Sequence, residues 1–205
     1  MNTQPHVPSA KRILCLAGSL RRESWNRRLL RAAVHAAPEG LDLVLYDELT
    51  AVPMFNEDTE QPVPPSVQHL RGAVAMADGL LIATPEYNHS FPGVLKNAID
   101  WLSRGSDSVL IGKPVAVIGA SAGSWGTRLA QAALRQVLIA TEARIMSAPM
   151  LFVARASECF DTDGLLRDPA LSKALSGVVR ALGDCITLYA QPAPSILPKQ
   201  TLVAT

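Results

Sequence analysis

The run Gly79-Leu80-Leu81-Ile82-Ala83-Thr84, closed by Pro85, is apolar without interruption. A strand with one wet face alternates apolar and polar side chains; an unbroken run fits a parallel strand covered on both faces. Parallel strands cannot be joined by hairpins, so this one stretch already demands crossover segments long enough to hold helices.

The rest of the chain supplies them. Residues 12–17 and 113–119 read as further buried strands. Residues 41–46 place Leu41, Leu43 and Leu45 on one face, with Asp42, Val44 and Tyr46 on the other. The fifth strand lies within residues 144–152; Pro149 interrupts it, so a β start near residues 143–146 is expected. Helical spacing of apolar residues appears at Leu29, Leu30, Ala33, Val34 and Ala37, ended by Pro38-Glu39-Gly40. It recurs at Val67, Leu70, Val74 and Ala77, and again at Leu95, Ala98, Ile99 and Leu102. A helix over residues 127–140 is expected to face Leu129, Ala133, Val137 and Ala140 inward. Asp168-Pro169 opens the last helix, marked by Leu171, Leu175, Val178, Leu182 and Ile186. Residues 47–65 hold four prolines and no period, and read as a long loop. The tail from Gln191 carries three prolines and is expected to be poorly ordered.

Strand and helix therefore alternate, which predicts an α/β three-layer sandwich around a five-stranded parallel sheet of order 2-1-3-4-5. No break in composition divides the chain, so residues 1–205 are expected to form one domain with its core at about 11–190. In such a sheet ligands sit beyond the carboxyl ends of the strands, at the point where the strand order reverses.

Three turns fall at that end. The first, Ala17-Gly18-Ser19-Leu20-Arg21-Arg22-Glu23-Ser24-Trp25-Asn26-Arg27, joins a buried strand to a helix. A helix N-terminus offers unpaired N–H groups and partial positive charge, Gly18 permits close approach, and Ser19, Ser24, Arg21 and Arg22 add donors suited to phosphate. The same residues also fit a simpler arrangement, with Ser24 as helix N-cap and the arginines solvated. Neither a dinucleotide glycine fingerprint nor a Walker A lysine is present. The second turn, Thr84-Pro85-Glu86-Tyr87-Asn88-His89-Ser90-Phe91-Pro92-Gly93, is stiffened by prolines and offers a ring at Tyr87 and an amide at Asn88. The third contributes Ser121, Gly123 and Gly126 around the bulky Trp125. Together they describe a site for a ligand with phosphate at one end and a planar polar ring at the other. Flavin mononucleotide has that shape.

The two stretches Gly18-Ser19-Leu20-Arg21-x-x-Ser24-x-Asn26 and Pro85-Glu86-Tyr87-Asn88-x-Ser90-x-Pro92-Gly93-x-Leu95-Lys96-Asn97-Ala98-Ile99-Asp100-Trp101 resemble the signatures of the NAD(P)H-dependent FMN reductases of flavodoxin-like fold, a group that includes quinone, chromate and azo-dye reductases. The resemblance implies an oxidoreductase that passes hydride from NADPH or NADH through FMN to a small acceptor. It implies that Ser19, Arg21, Ser24 and Asn26 hold the FMN phosphate, that Pro85, Glu86, Tyr87 and Asn88 run along the ring, and that Ser121 and Gly123 form the second ring-binding turn. No side chain is nominated as an essential acid or base; His89 reads as an exposed loop residue, with a proton donor to a quinone over the open flavin face as the alternative. A homodimer or tetramer is implied, with the helix that begins Gly93-Val94-Leu95 at the interface. A non-enzymatic FMN electron carrier is the competing reading; such carriers dock through a strongly acidic face, and a formal net charge of +1 offers none.

That charge also argues against nucleic acid or anionic membrane as partners. Residues 1–10 lack the apolar run of a signal peptide, and the three cysteines, Cys15, Cys159 and Cys185, match no metal spacing. Reduced thiols and a cytoplasmic location are expected.

Overall fold

The computed structural model describes residues 10–190; the start of the chain and the proline-bearing tail lie outside the described residues. Strands β1 (Lys11–Ala17), β2 (Leu41–Tyr46), β3 (Gly79–Ala83), β4 (Pro114–Ala120), β5 (Arg144–Ile145) and β6 (Leu151–Val153) form one parallel sheet. Its order is β2-β1-β3-β4-β5, with β6 also paired to β4. Helices α1 (Trp25–His35), α2 (Pro65–Ala75), α3 (Gly93–Leu102), α4 (Arg128–Ala140), α5 (Ala156–Cys159) and α6 (Pro169–Ala190) connect and cover it. The flavodoxin-like order read from the sequence is the order observed.

The unbroken apolar strands are explained by two cores, one on each face. Ile13, Cys15, Leu81, Ala83, Ala116 and Ile118 point toward α1 and α6, where Leu29, Leu30, Leu175, Val178 and Leu182 meet them. The intervening residues Leu14, Leu16, Leu80, Ile82, Val115 and Val117 point the other way, against Val67, Leu70, Leu95, Ile99, Leu134 and Leu138. Because side chains alternate along a strand, the central strands β3 and β4 must be apolar at every position to feed both layers.

In three places the sequence reading needed tertiary contacts to complete it. On α4 the inward residues are Ala130, Gln131, Leu134 and Leu138, not the expected stripe, and Leu129 is 51% exposed. The helix is rotated so that two polar side chains face in: Gln131 Nε2 donates to Leu151 O at 2.9 Å, and an Arg135 nitrogen donates to Met146 O at 2.7 Å. Polar residues at inward positions erase the stripe from the sequence pattern. The fifth strand is split: β5 pairs with the start of β4 and β6 with its end, and the residues around Pro149 bulge between them. Gln131 and Arg135 hold the two halves on either side of that bulge. The long loop after β2 is not free either. Asn97 Oδ1 accepts from Phe55 N at 2.7 Å, Asn97 Nδ2 and Trp101 Nε1 donate to Pro53 O at 2.9 and 2.8 Å, and Arg104 forms a two-pronged pair with Glu60 at 3.0 Å. Asn97 and Trp101 of the second signature thus pin a loop.

Candidate functional site

The turns after β1, β3 and β4 meet at the carboxyl edge of the sheet around a cleft of about 380 Å³. The first turn contributes Ser19, Arg21, Ser24, Trp25 and Asn26; the second Pro85, Glu86 and Tyr87; the third Ala120, Ser121 and Ala122. A larger groove of about 600 Å³ beside Tyr46, His69 and Met76 shares no lining residue with this cleft.

At one end stands the N-terminus of α1. Ser24 is its N-cap, its Oγ accepting from Arg27 N at 3.3 Å, so the N–H groups of Trp25 and Asn26 remain as open first-turn donors among the described residues. The Ser24 hydroxyl proton is also left for a ligand, which makes capping and anion binding compatible. The Arg21 guanidinium lies 5.9 Å from the Trp25 ring, which stacks on Phe160 at 5.7 Å and carries Arg28 on it at 4.9 Å. Arg22 does not line the cleft. Trp25 falls within the first turn but was given no role from the sequence; only the stack on Phe160 shows it as the surface beside which Arg21 stands.

Gly18 has a different reason for being glycine than approach to a phosphate. A Cβ there would lie 2.5 Å from Leu95 Cδ1 and 3.2 Å from Pro85 Cδ, and Gly18 N donates to Ala83 O at 2.8 Å. The residue lets the first turn press against the second. Ser19 Oγ and Tyr87 Oη, 3.4 Å apart, join the same two turns at the cleft.

Asn26 and Glu86 line the cleft, yet their side chains are bound to protein. Asn26, 2% exposed, donates Nδ2–H to Ala120 O at 2.9 Å and accepts from Ala120 N at 2.8 Å. It splices the start of α1 to the end of β4. One Glu86 oxygen accepts from the backbone N–H of Leu129 at 2.9 Å and of Ala130 at 3.0 Å, capping α4 from the second turn with a favourable charge at the helix N-terminus. Pairings this remote in sequence leave no local signature.

Asn88 and Gly123 stand outside the cleft lining. Asn88 (φ 50°) and His89 (φ 64°) form a two-residue hairpin, with Tyr87 N and Ser90 N each donating to the other residue's carbonyl at 2.9 and 3.0 Å. Both central residues have positive φ, as a type I′ turn requires, and Asn tolerates that region. The hairpin holds Tyr87, 52% exposed, at the cleft mouth. Gly123 N donates to Ser121 Oγ at 3.1 Å, so it shapes the third turn from behind.

Among the described residues no group of three His, Cys, Asp or Glu side chains is placed to hold a metal, and no helix is long and apolar enough to cross a membrane. The model of the NADPH-dependent FMN reductases matches residues 11–158, a span that carries all three turns. The chain belongs to this family. It is 40% identical over 172 residues to an NAD(P)H-dependent FMN reductase of Pseudomonas aeruginosa, covering 83% of this chain and 92% of that one. It is 36% identical over 177 residues to a quinone reductase of Escherichia coli, covering 85% and 94%. The solved structure of the flavoenzyme NAD(P)H:(acceptor) oxidoreductase FerB from Paracoccus denitrificans superposes with a TM-score of 0.81 at 36% identity, over 87% of this chain and 98% of that chain. The protein is accordingly an FMN-dependent NAD(P)H oxidoreductase. The cleft fits the cofactor: open helix amides, hydroxyls and a guanidinium line it together with a half-exposed aromatic ring.

Proposed function

We propose that this enzyme passes two electrons from NAD(P)H through bound FMN to a quinone-class acceptor. The observation that carries the reading is the convergence of the three turns on one cleft lined by a guanidinium, hydroxyls and a half-exposed aromatic ring. Relatives named for quinone reduction support the acceptor class, among them the Escherichia coli enzyme and a 2-hydroxy-1,4-benzoquinone reductase from Burkholderia that is 40% identical over 156 residues.

When bound, FMN supplies the hydride chemistry itself; the protein supplies position and electrostatics. In this reading Arg21, Ser24, Ser19 and the amides of Trp25 and Asn26 hold the phosphate, while Asn26 acts chiefly by fixing the end of β4. Pro85, Glu86 and Tyr87 run along the ring, with Glu86 serving through its hold on α4, and Asn88 contributing the turn that aims Tyr87. Ser121 carries the opposite side, and Gly123 lets that turn close on itself. Ala120 N, Ser121 N and Gly123 N are engaged within the protein, so of the third-turn amides at the cleft Ala122 N–H is the one that would favour negative charge on the ring when FMN is bound. No side chain is assigned as acid or base.

The same reading expects a homodimer or tetramer, with the start of α3 at the interface; exposed Leu129, Ile139 and Met150 supply apolar surface for assembly. The three cysteines are unpaired, which suits a reducing cytoplasm.

The test is direct. Purified protein should show flavin absorption in the blue and near-ultraviolet, bleach under anaerobic NADPH, and recover its colour when a benzoquinone is added. A colourless protein that takes up no FMN, or a bleached one that the quinone fails to reoxidise, would refute the proposal. Sedimentation of the holoenzyme reads the assembly.

A further inference from the structure

An aromatic pair behind Arg21 joins the cofactor cleft to a part of the chain outside the three turns. Arg21 and Trp25 both line the cleft, and the guanidinium lies 5.9 Å from the centre of the Trp25 ring, within the range of a cation–π contact. Arg21 is exposed, and among the described residues it has no carboxylate within 4.0 Å. Glu23, the acid nearest to it in the turn, is taken by Arg28 at 2.5 Å. The ring is therefore what Arg21 stands against.

Trp25 is itself fixed. Phe160, 3% exposed, stacks on it with ring centres 5.7 Å apart and planes 13° from parallel, and the Arg28 guanidinium lies 4.9 Å from the same ring. Phe160 lies beyond residues 11–158, the span of the family match, at the base of a small hairpin in which it pairs with Leu166. Its carbonyl accepts from Arg167 Nε at 2.9 Å. Inside the hairpin Asp161 Oδ1 accepts from Asp163 N and Leu165 N at 3.0 and 2.8 Å. The hairpin thus holds the ring that holds Trp25. A long cationic side chain loses rotamer freedom when a phosphate fixes it, and that loss weakens binding. A ring that attracts the guanidinium beforehand removes part of the loss and leaves its N–H fork for phosphate oxygens.

We propose that Trp25, braced by Phe160, is a positioning residue that orders Arg21 for the FMN phosphate, so that the hairpin from Phe160 to Arg167 belongs to the cofactor site. The inference rests on the FMN reading of the cleft and carries it to residues outside the three turns. The test compares FMN with riboflavin, the same ring and ribityl chain without the phosphate, by fluorescence titration of the cofactor-free protein. Wild type should bind FMN more tightly, by about tenfold or more. Trp25→Leu should lower that preference about three- to tenfold and leave riboflavin binding within about twofold. Trp25→Phe, which keeps a ring, should retain most of the preference, and Phe160→Leu should lose part of it. In an Arg21→Ala background Trp25→Leu should cost no further preference, because no guanidinium is left to place. Urea unfolding shows which variants are folded; Phe160→Leu, which leaves Trp25 in place, decides the matter if Trp25→Leu does not fold. Equal losses for the two flavins would make Trp25 a plain wall of the cleft and overturn the proposal. So would an unchanged preference, or the full loss repeated in the Arg21→Ala background. A wild type that binds riboflavin as tightly as FMN would refute the phosphate reading itself, and this inference with it, before any variant is made.

Discussion

Replacing Asn26 with alanine removes both hydrogen bonds that tie α1 to the end of β4. Ala120 is 1% exposed, so its N–H and C=O would lose their partners inside the protein. Each unsatisfied backbone group costs about 1–3 kcal/mol, which gives about 2–6 kcal/mol of lost stability in the cofactor-free protein, the low end applying if water enters. A side chain that served only the phosphate would behave differently. Its loss would weaken FMN binding by about 1.5–3 kcal/mol, roughly 10–150-fold, and leave the cofactor-free protein within about 0.5 kcal/mol of wild type. Urea unfolding of the cofactor-free protein, paired with FMN titration by flavin fluorescence, separates the two. Unchanged unfolding with a large loss of FMN affinity would refute the bracing role. Asn26→Asp sharpens the test, because it keeps the acceptor for Ala120 N but sets a second oxygen against Ala120 O. Burial and that carbonyl raise the pKa of the introduced carboxyl, so its neutral form can still donate. Stability of this variant should therefore be highest at low pH and fall as pH rises through the raised value.

Arg21→Ala should weaken FMN retention by about 1.5–3 kcal/mol without changing the fold; unchanged affinity on titration would remove Arg21 from the phosphate site. His89→Gly relieves the positive φ of the hairpin and should stabilise the protein by about 0.5–1 kcal/mol in urea unfolding. The same variant should keep the wild-type pH profile of turnover; loss of one limb would make His89 a proton donor. Burial pushes the Cys15 thiol up to about 12 from the ordinary 9.0. The unfolded chain releases this proton above pH 9 while the folded chain keeps it, so the Cys15 contribution to stability is present below pH 9 and is lost between there and about 12. Between pH 8 and pH 10 wild type should lose about 1 kcal/mol more than Cys15→Ala, and equal losses would count against the raised value.

The spliced contacts mark the boundary of what sequence pattern can hold. Ser19, Arg21 and Ser24 were legible because a strand-to-helix turn is local: its glycine, hydroxyls and cations sit within a few residues. The type I′ hairpin at Asn88-His89 was less so, since histidine is a poor guide to positive φ. Glu86 on α4 and Asn26 on β4 were read as ligand contacts; their partners lie 43 and 94 residues away, and nothing in the neighbouring residues points to them. On α4 the inward face was misjudged because Gln131 and Arg135 serve a gap in the sheet that exists only after β5 and β6 have paired with β4.

By itself the sequence determined the parallel sheet and its strand order, because apolar runs must be buried and parallel neighbours require crossovers of fixed hand. Through two local signatures it also pointed to the family, and it marked the first turn, whose Ser19, Arg21 and Ser24 line the cleft. Tertiary structure alone decided which of the motif residues face the cleft and which brace it, how α4 is turned about its axis, and that Trp25 lines the site. Those properties depend on pairs of groups brought together by folding, and a hydrogen bond between distant residues leaves no periodicity for a sequence to show.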